Sequence, residues 1–180
     1  MLMSLRFTEP TVVEVFVASW EIECCAPPPA VGEPTTWTLG FQPGHGEYAD
    51  PDLDRERDWL VEPRDGWTAV TDGPLVAWWN DHAGPVPAPG RHRLRGLLVG
   101  SAHGLGPQDV PATTGTVRRV RLVSQVYRPG RDGTLLPVRG TVSMADRERS
   151  PRWFRIDRID SGTDVPQQTG VLLDVAVAGP

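Results

Sequence analysis

Apolar and polar residues alternate with a period of two along much of this chain, the spacing of half-buried β-strands. In "VVEVFVA" (12–18), Val13, Val15 and Val17 fall on one face, with Val12, Glu14 and Phe16 on the other. That pattern predicts a strand buried on most of its surface. "TWTLGF" (36–41) points Trp37, Leu39 and Phe41 inward. "RLRGLLV" (93–99) is a third strand, and Gly96 inside it marks a bulge or a barrel corner. In "TVRRVRLVSQVYR" (116–128), Val120, Leu122 and Val126 share one face, with Arg119, Arg121 and Tyr127 on the other. "RWFRIDRI" (152–159) sets Phe154 and Ile156 against Trp153, Arg155 and Asp157. "GVLLDVAV" (170–177) aligns Val171, Leu173, Val175 and Val177. Shorter strands are predicted at 67–71, 75–79 and 134–142.

Turn signals separate these runs. "RPGRDGT" (128–134) contains Asp132-Gly133, which suits a tight hairpin. Breakers leave few windows for a helix. The best is "DPDLDRERDWLV" (50–61), with Pro51 at a first helical position, acids in the first turn, and Leu53, Trp59 and Leu60 turned to the core. Many short strands without βα alternation predict an all-β fold. The expected architecture is a small barrel or sandwich of mostly antiparallel strands, with at most one or two short helices. Residues 1–180 read as a single β-domain.

Composition sharpens this picture. Only 39% of residues are apolar, yet seven tryptophans supply large units of buried area. The 19 glycines and 19 prolines are spread along the chain as turn punctuation. All 18 basic residues are arginines, so no lysine exists for a Schiff base or a standard P-loop.

The net charge of −5 hides an asymmetry. Residues 1–72 carry 14 acids and 4 arginines, whereas 91–139 carry 9 arginines against Asp109 and Asp132. A basic middle faces either a polyanion or the chain's own acidic segment, 47–65; self-neutralisation is the plainer reading. The N-terminal residues show no secretory pattern, so no leader is expected; no apolar run reaches membrane length, and adjacent cysteines make no ordinary disulfide framework. The expectation is a cytoplasmic protein with no membrane contact.

Three features are candidates for chemistry. "WEIECC" (20–25) ends in Cys24-Cys25, thiols to be tested. On a strand, adjacent side chains oppose one another, so both sulfurs reach one ion only where the chain turns, and "APPP" after Cys25 permits that turn. Small buried hydrophobes are the plainer reading; a metal or thiol site recruiting His82 or His45 is the alternative. Trp78, Trp79, Asn80, Asp81 and His82 could form the rim of a ligand or partner site, or simply a strand end and a polar turn. Arg118, Arg119, Arg121 and Tyr127 make a candidate polyanion face, of the kind that holds single-stranded nucleic acid by phosphate contact and stacking. No nucleophile elbow appears, and "GSAHGLG" (100–106) reads as a plain loop.

The stretch "VEVFVASWEIECC…VGEPTTW" resembles a family of small uncharacterised proteins from high-GC Gram-positive bacteria. Its pattern, Trp-x-x-x-Cys-Cys followed by Val-Gly and a further tryptophan, falls here on Trp20, Cys24, Cys25, Val31, Gly32 and Trp37. The "APPPA" after the cysteines replaces the glycine and aromatic of that pattern. The resemblance implies a compact bacterial β-domain and no particular activity.

The sequence therefore predicts a non-catalytic accessory module that binds a protein partner or a small ligand. No cofactor, catalytic residue or metal ligand is assigned. The alternatives are single-stranded nucleic-acid binding through 118–121 and a metal or thiol site at Cys24-Cys25.

Overall fold

The computed structural model describes residues 10–44, 50–104, 106–130, 134–156 and 164–178. Strand accounts for 61% of the structure and helix for 4%, so the fold is all-β, and eight strands close into a mixed barrel. The elements run β1 (Thr11–Ala18), α1 (Ser19–Cys24), β2 (Pro34–Pro43), β3 (Arg55–Arg64), β4 (Trp67–Asp72) and β5 (Leu75–Trp79). They continue with β6 (Gly90–Ser101), β7 (Ala112–Pro129), β8 (Leu135–Pro137), β9 (Ser143–Arg147) and β10 (Val165–Val177).

The ring is ordered β10-β1-β6-β3-β4-β5-β2-β7 and closes through β7 and β10, while β8 and β9 pair with β7 outside it. A direct β2–β6 pairing crosses the ring. Two five-membered circuits result, sharing β2 and β6. Most contacts are antiparallel, but β1 runs parallel to β6 at Phe16–Val99, and β2 runs parallel to β5.

Gly96 is the corner its position suggested. It pairs with Arg55 of β3 on one edge and with Pro43 of β2 on the other. A Cβ there would lie 2.4 Å from the Gln42 carbonyl oxygen and 2.6 Å from Phe41 Cζ, so only glycine lets the backbones approach this closely.

The inward positions of β1, β2, β5 and β10 build the core as the alternation predicts, joined by Val120 and Leu122 of β7. Val13, Val15, Val17, Leu39, Phe41 and Val120 are all 2% exposed or less. Phe41 lies edge-on to Trp59 at 5.5 Å and stacks on Trp79 at 5.3 Å. Such aromatic pairs add about 0.5–1.5 kcal/mol each beyond their buried area.

Four sequence expectations are corrected. Residues 50–61 do not form a helix: a turn at 51–53 leads into β3, whose Trp59 and Val61 are buried at alternate positions. The period-two Trp59/Val61 signal, satisfied by pairing to β4 and β6, outweighs the local helix propensity. Residues 152–156 are not a strand either. They make one bridge, Ile156 to Gln167, with Phe154 buried and Ile156 exposed; the rest of that expected strand lies outside the described residues.

The expected strand over 134–142 shrinks to β8, and the Asp132-Gly133 turn lies outside the described residues. On β7, a register shift opposite Asp174/Val175 resets the alternation, and Arg121, Leu122 and Val123 are buried in succession. The outer face there is covered by a second small cluster, in which Val123 and Leu172 pack with Leu53, Phe16, Leu97 and Met144. Among the described residues, no helix is long and apolar enough to cross a membrane.

Candidate functional site

The chain leaves β1 at Ala18 and turns directly into α1, so "WEIECC" is helical where alternation predicted a strand end. The helix changes what the residues face. Glu21 and Ile22 enter the interior, while Cys24, the last helical residue, and Cys25, the C-cap, stand at the exposed end of the same turn. The amides of Cys25 and Ala26 both donate to the Glu21 carbonyl, and Pro27, Pro28 and Pro29 then end the helix. Cys24 and Cys25 are therefore exposed, not interior filling. Their sulfurs meet as a vicinal disulfide.

The parallel β1–β6 contact supplies the other wall. Because the two strands run the same way, their C-terminal ends emerge together, and His103, two residues past β6, reaches the end of α1. His103 Nε2 lies 3.5 Å from Cys24 Sγ. Its Nδ1 lies 2.8 Å from Glu21 Oε2. A carboxylate oxygen can only accept, so Nδ1 carries the proton and donates, which leaves Nε2 to face the sulfur. The Glu21 Oε2 atom also accepts from the Ala102 amide at 2.9 Å. Glu21 is 1% exposed, and its Oε1 has no hydrogen-bond partner among the described residues. Trp20 shields one side of the imidazole, with ring centroids 5.6 Å apart.

The segment 148–154 straps the turn from outside. Its Ser150 amide donates to the Pro29 carbonyl, Arg149 pairs with Glu33, Arg152 donates to the Ala26 carbonyl, and the Phe154 amide donates to Glu23 Oε1 at 2.8 Å. Beside the strap opens a cleft of about 360 Å3, lined by Cys25, Pro27, Pro29, Thr36, Trp37 and Ala102. The two sulfurs thus differ: Cys24 faces His103, and Cys25 borders an open groove.

The remaining candidates disperse. Trp79 is buried, its indole N–H donating to the Gly84 carbonyl at 3.0 Å, while Trp78 turns to the opposite face as strand alternation requires. Gly106 packs so closely on the Trp78 indole that a Cβ there would lie 2.4 Å from Nε1. Trp78, Asp81 and His82 line a cleft of about 540 Å3 together with Trp67 and Arg64; Asn80 sits partly buried at its strand end. His82 is far too exposed to be held, and His45 lies outside the described residues. His82 does not join the cysteines; His103 does.

The arginine face is divided. Arg119 makes a two-pronged pair with Asp146 of β9, at 2.6 and 2.9 Å. Arg121 is buried and bridges Glu14 at 2.7 Å and Asp174. Arg118 is exposed, and Tyr127 is partly covered, its hydroxyl pushed to higher pKa by burial. Burial resists ionisation of Glu14, but hydrogen bonds from Arg55 and Arg121 outweigh it and hold the carboxyl below its ordinary value. Self-neutralisation extends to the acidic segment 47–65, where Arg93 of β6 pairs with Glu56 and Asp58 of β3.

The signal for this site was faint in sequence. Glu21 and Cys24-Cys25 lie three and four residues apart, one face of a helix, but the apolar alternation before them masked it. His103 is 79 residues from Cys24, and only the topology brings it back.

Compared with known families, residues 11–177 match one described as a family of unknown function (DUF6578). Neither the curated proteins nor the solved structures gave a match.

Proposed function

The chain belongs to that family, which carries no assigned activity, and we propose from the site itself that the protein is a thiol–disulfide redox module. The observation that carries this reading is the placement of His103 between Cys24 Sγ and the buried Glu21 carboxylate. A nucleophile, a base and a group that orients the base are the elements that activate a thiol. Imidazolium beside a sulfur favours thiolate over thiol, and the carboxylate keeps the ring in position.

The reaction balances as a two-electron exchange. A thiolate on a partner protein or small dithiol enters along the Cys25 groove and attacks Cys25 Sγ. The Cys24–Cys25 bond breaks, and Cys24 leaves as thiolate, stabilised by protonated His103. The partner's second thiol then attacks the mixed disulfide at its own sulfur. Cys25 is released, the partner ends as a disulfide, and this chain ends as the dithiol. In the reducing bacterial cytoplasm that we take as its setting, such a pair rests reduced and the same exchange runs in reverse: Cys25 attacks a partner's disulfide, Cys24 resolves the mixed disulfide, and the partner leaves as the dithiol.

Incubation in graded glutathione redox buffers, followed by alkylation and mass measurement, tests the proposal. The expected result is a single transition between two alkylated cysteines and none, with C24S trapping a mixed disulfide at Cys25. Thiols that never join one another within a chain would refute it.

A second reading, a binding module for a small ligand with a flat ring, is supported by the Trp67–Trp78 cleft. It would place the ligand against Trp78, with Asp81 and His82 at the rim. Ligand-induced quenching of tryptophan fluorescence that is lost in W78A tests it; a quench that survives W78A sinks it.

A further inference from the structure

We propose that the reduced protein holds a thiophilic metal ion, zinc(II) or copper(I), on Cys24 Sγ, Cys25 Sγ and His103 Nε2. This proposal uses the same residues as the redox reading and rests on it only in requiring accessible, reducible thiols.

The donor atoms already lie where such an ion needs them. All three sit within 4.8 Å of one another. Around a tetrahedral zinc, bonds of about 2.3 Å to sulfur and about 2.0–2.1 Å to nitrogen put a sulfur and a nitrogen about 3.5 Å apart. Cys24 Sγ and His103 Nε2 are 3.5 Å apart. Two thiolates on one zinc stand about 3.8 Å apart by the same bond lengths. Reduction frees the sulfurs to separate, and the helix end lets both point outward where a strand would have opposed them.

The second, independent observation is Glu21. Metal-bound histidine characteristically donates its other N–H to a carboxylate, which fixes the tautomer and raises the basicity of the ligating nitrogen. Glu21 Oε2 is placed to do this, with Nε2 left free for the ion. The remaining oxygen, Glu21 Oε1, is buried without a partner among the described residues. An ion on Nε2 makes the opposite ring N–H a stronger donor, so the His103–Glu21 hydrogen bond tightens when metal binds, which gives this buried carboxylate a role on an otherwise structural turn.

The ligand set selects the ion. Two sulfurs and a nitrogen suit zinc and copper(I) and offer calcium or magnesium nothing. Three protein ligands on an exposed turn leave a position open, whereas structural zinc sites close all four. An ion held here exchanges with solvent or with a partner's ligand through the Cys25 groove, the behaviour of a carrier or a labile site. Binding releases the two thiol protons, so uptake strengthens as pH rises.

The test is titration of the reduced, desalted full chain with cobalt(II) under argon, followed by displacement with zinc(II). One cobalt per chain, with thiolate-to-metal absorption that zinc bleaches, is expected. C24S and C25S lose the absorption, H103A weakens uptake at least about tenfold, E21Q weakens it about 10–100-fold, and H82A leaves it unchanged. Should H103A fail to fold, methylthiolation of both cysteines in the native chain must abolish uptake, and zinc must protect His103 from diethyl pyrocarbonate. Overturning results are a reduced chain with two alkylatable thiols that takes up neither ion, or uptake indifferent to loss of the imidazole. The redox reading fails on a different measurement, the refusal of the thiols to rejoin in oxidising glutathione, whatever the metal result.

Discussion

Replacing Glu21 with glutamine removes one charge and almost no volume from a side chain that is 1% exposed. In the native protein its Oε2 accepts from the Ala102 amide at 2.9 Å and from His103 Nδ1 at 2.8 Å. A hydrogen bond to a charged group contributes about 1.5–3 kcal/mol, against about 1 for a neutral one, so the imidazolium loses about 1 kcal/mol of support. One pKa unit corresponds to about 1.4 kcal/mol. The Glu21→Gln variant should therefore alkylate at Cys24 about fivefold more slowly near neutral pH. The assay is the iodoacetamide alkylation rate of each cysteine in the reduced protein, followed by peptide mass across pH 5 to about 9, with thermal unfolding as the control for fold. Slowing confined to Cys24 and recovered at high pH is expected. A profile that superimposes on the native one, in a folded variant, would remove Glu21 from the site.

Three further outcomes are expected. Gly96→Ala forces a methyl against the Gln42 carbonyl and the Phe41 ring, and should cost about 1–3 kcal/mol in denaturant unfolding; an unchanged midpoint would show that the corner relaxes freely. Phe41→Ala empties the space between Trp59 and Trp79, and should cost about 3–5 kcal/mol, seen also as altered near-ultraviolet circular dichroism. The folded-state pKa of Glu14 is depressed, so its contribution is present above the ordinary glutamate value of 4.5 and is lost as pH falls from there through the lower folded value. Stability measured across that acid range should fall less steeply in E14Q than in the native chain, and parallel curves would contradict the Arg55–Glu14–Arg121 assignment.

Much of the barrel could be read from residue order alone. Wherever one face of a strand meets the core, burial follows the alternation, position by position over Val13–Ala18 of β1 and in β2 at Trp37, Leu39 and Phe41, with only the side-chain-free Gly40 breaking the pattern between them. The failures have physical causes. Arg121 reads as outward-facing, yet an added layer covers it and two carboxylates on other strands neutralise it; neither fact is local. The 50–61 segment has the caps and acids of a helix, but Trp59 and Val61 bury more surface by pairing between β4 and β6. The cysteine pair was visible at once, and its surroundings were not. An apolar run continuing to Ala18 gives no warning that the backbone coils at Ser19, and nothing near residue 24 announces a histidine at 103. Strand alternation is a short-range code. Parallel neighbours such as β1 and β6 are chosen by the closure of the whole barrel.

The centre is split between Cys24 and His103, and its two parts come together only when β6 has docked beside β1. A truncated or nascent chain ending before residue 103 carries both sulfurs without the His103 imidazole that faces them in the folded protein. Competence at this turn is thus a report on assembly: the thiols acquire their neighbour only after more than half the polypeptide has been made and threaded into register.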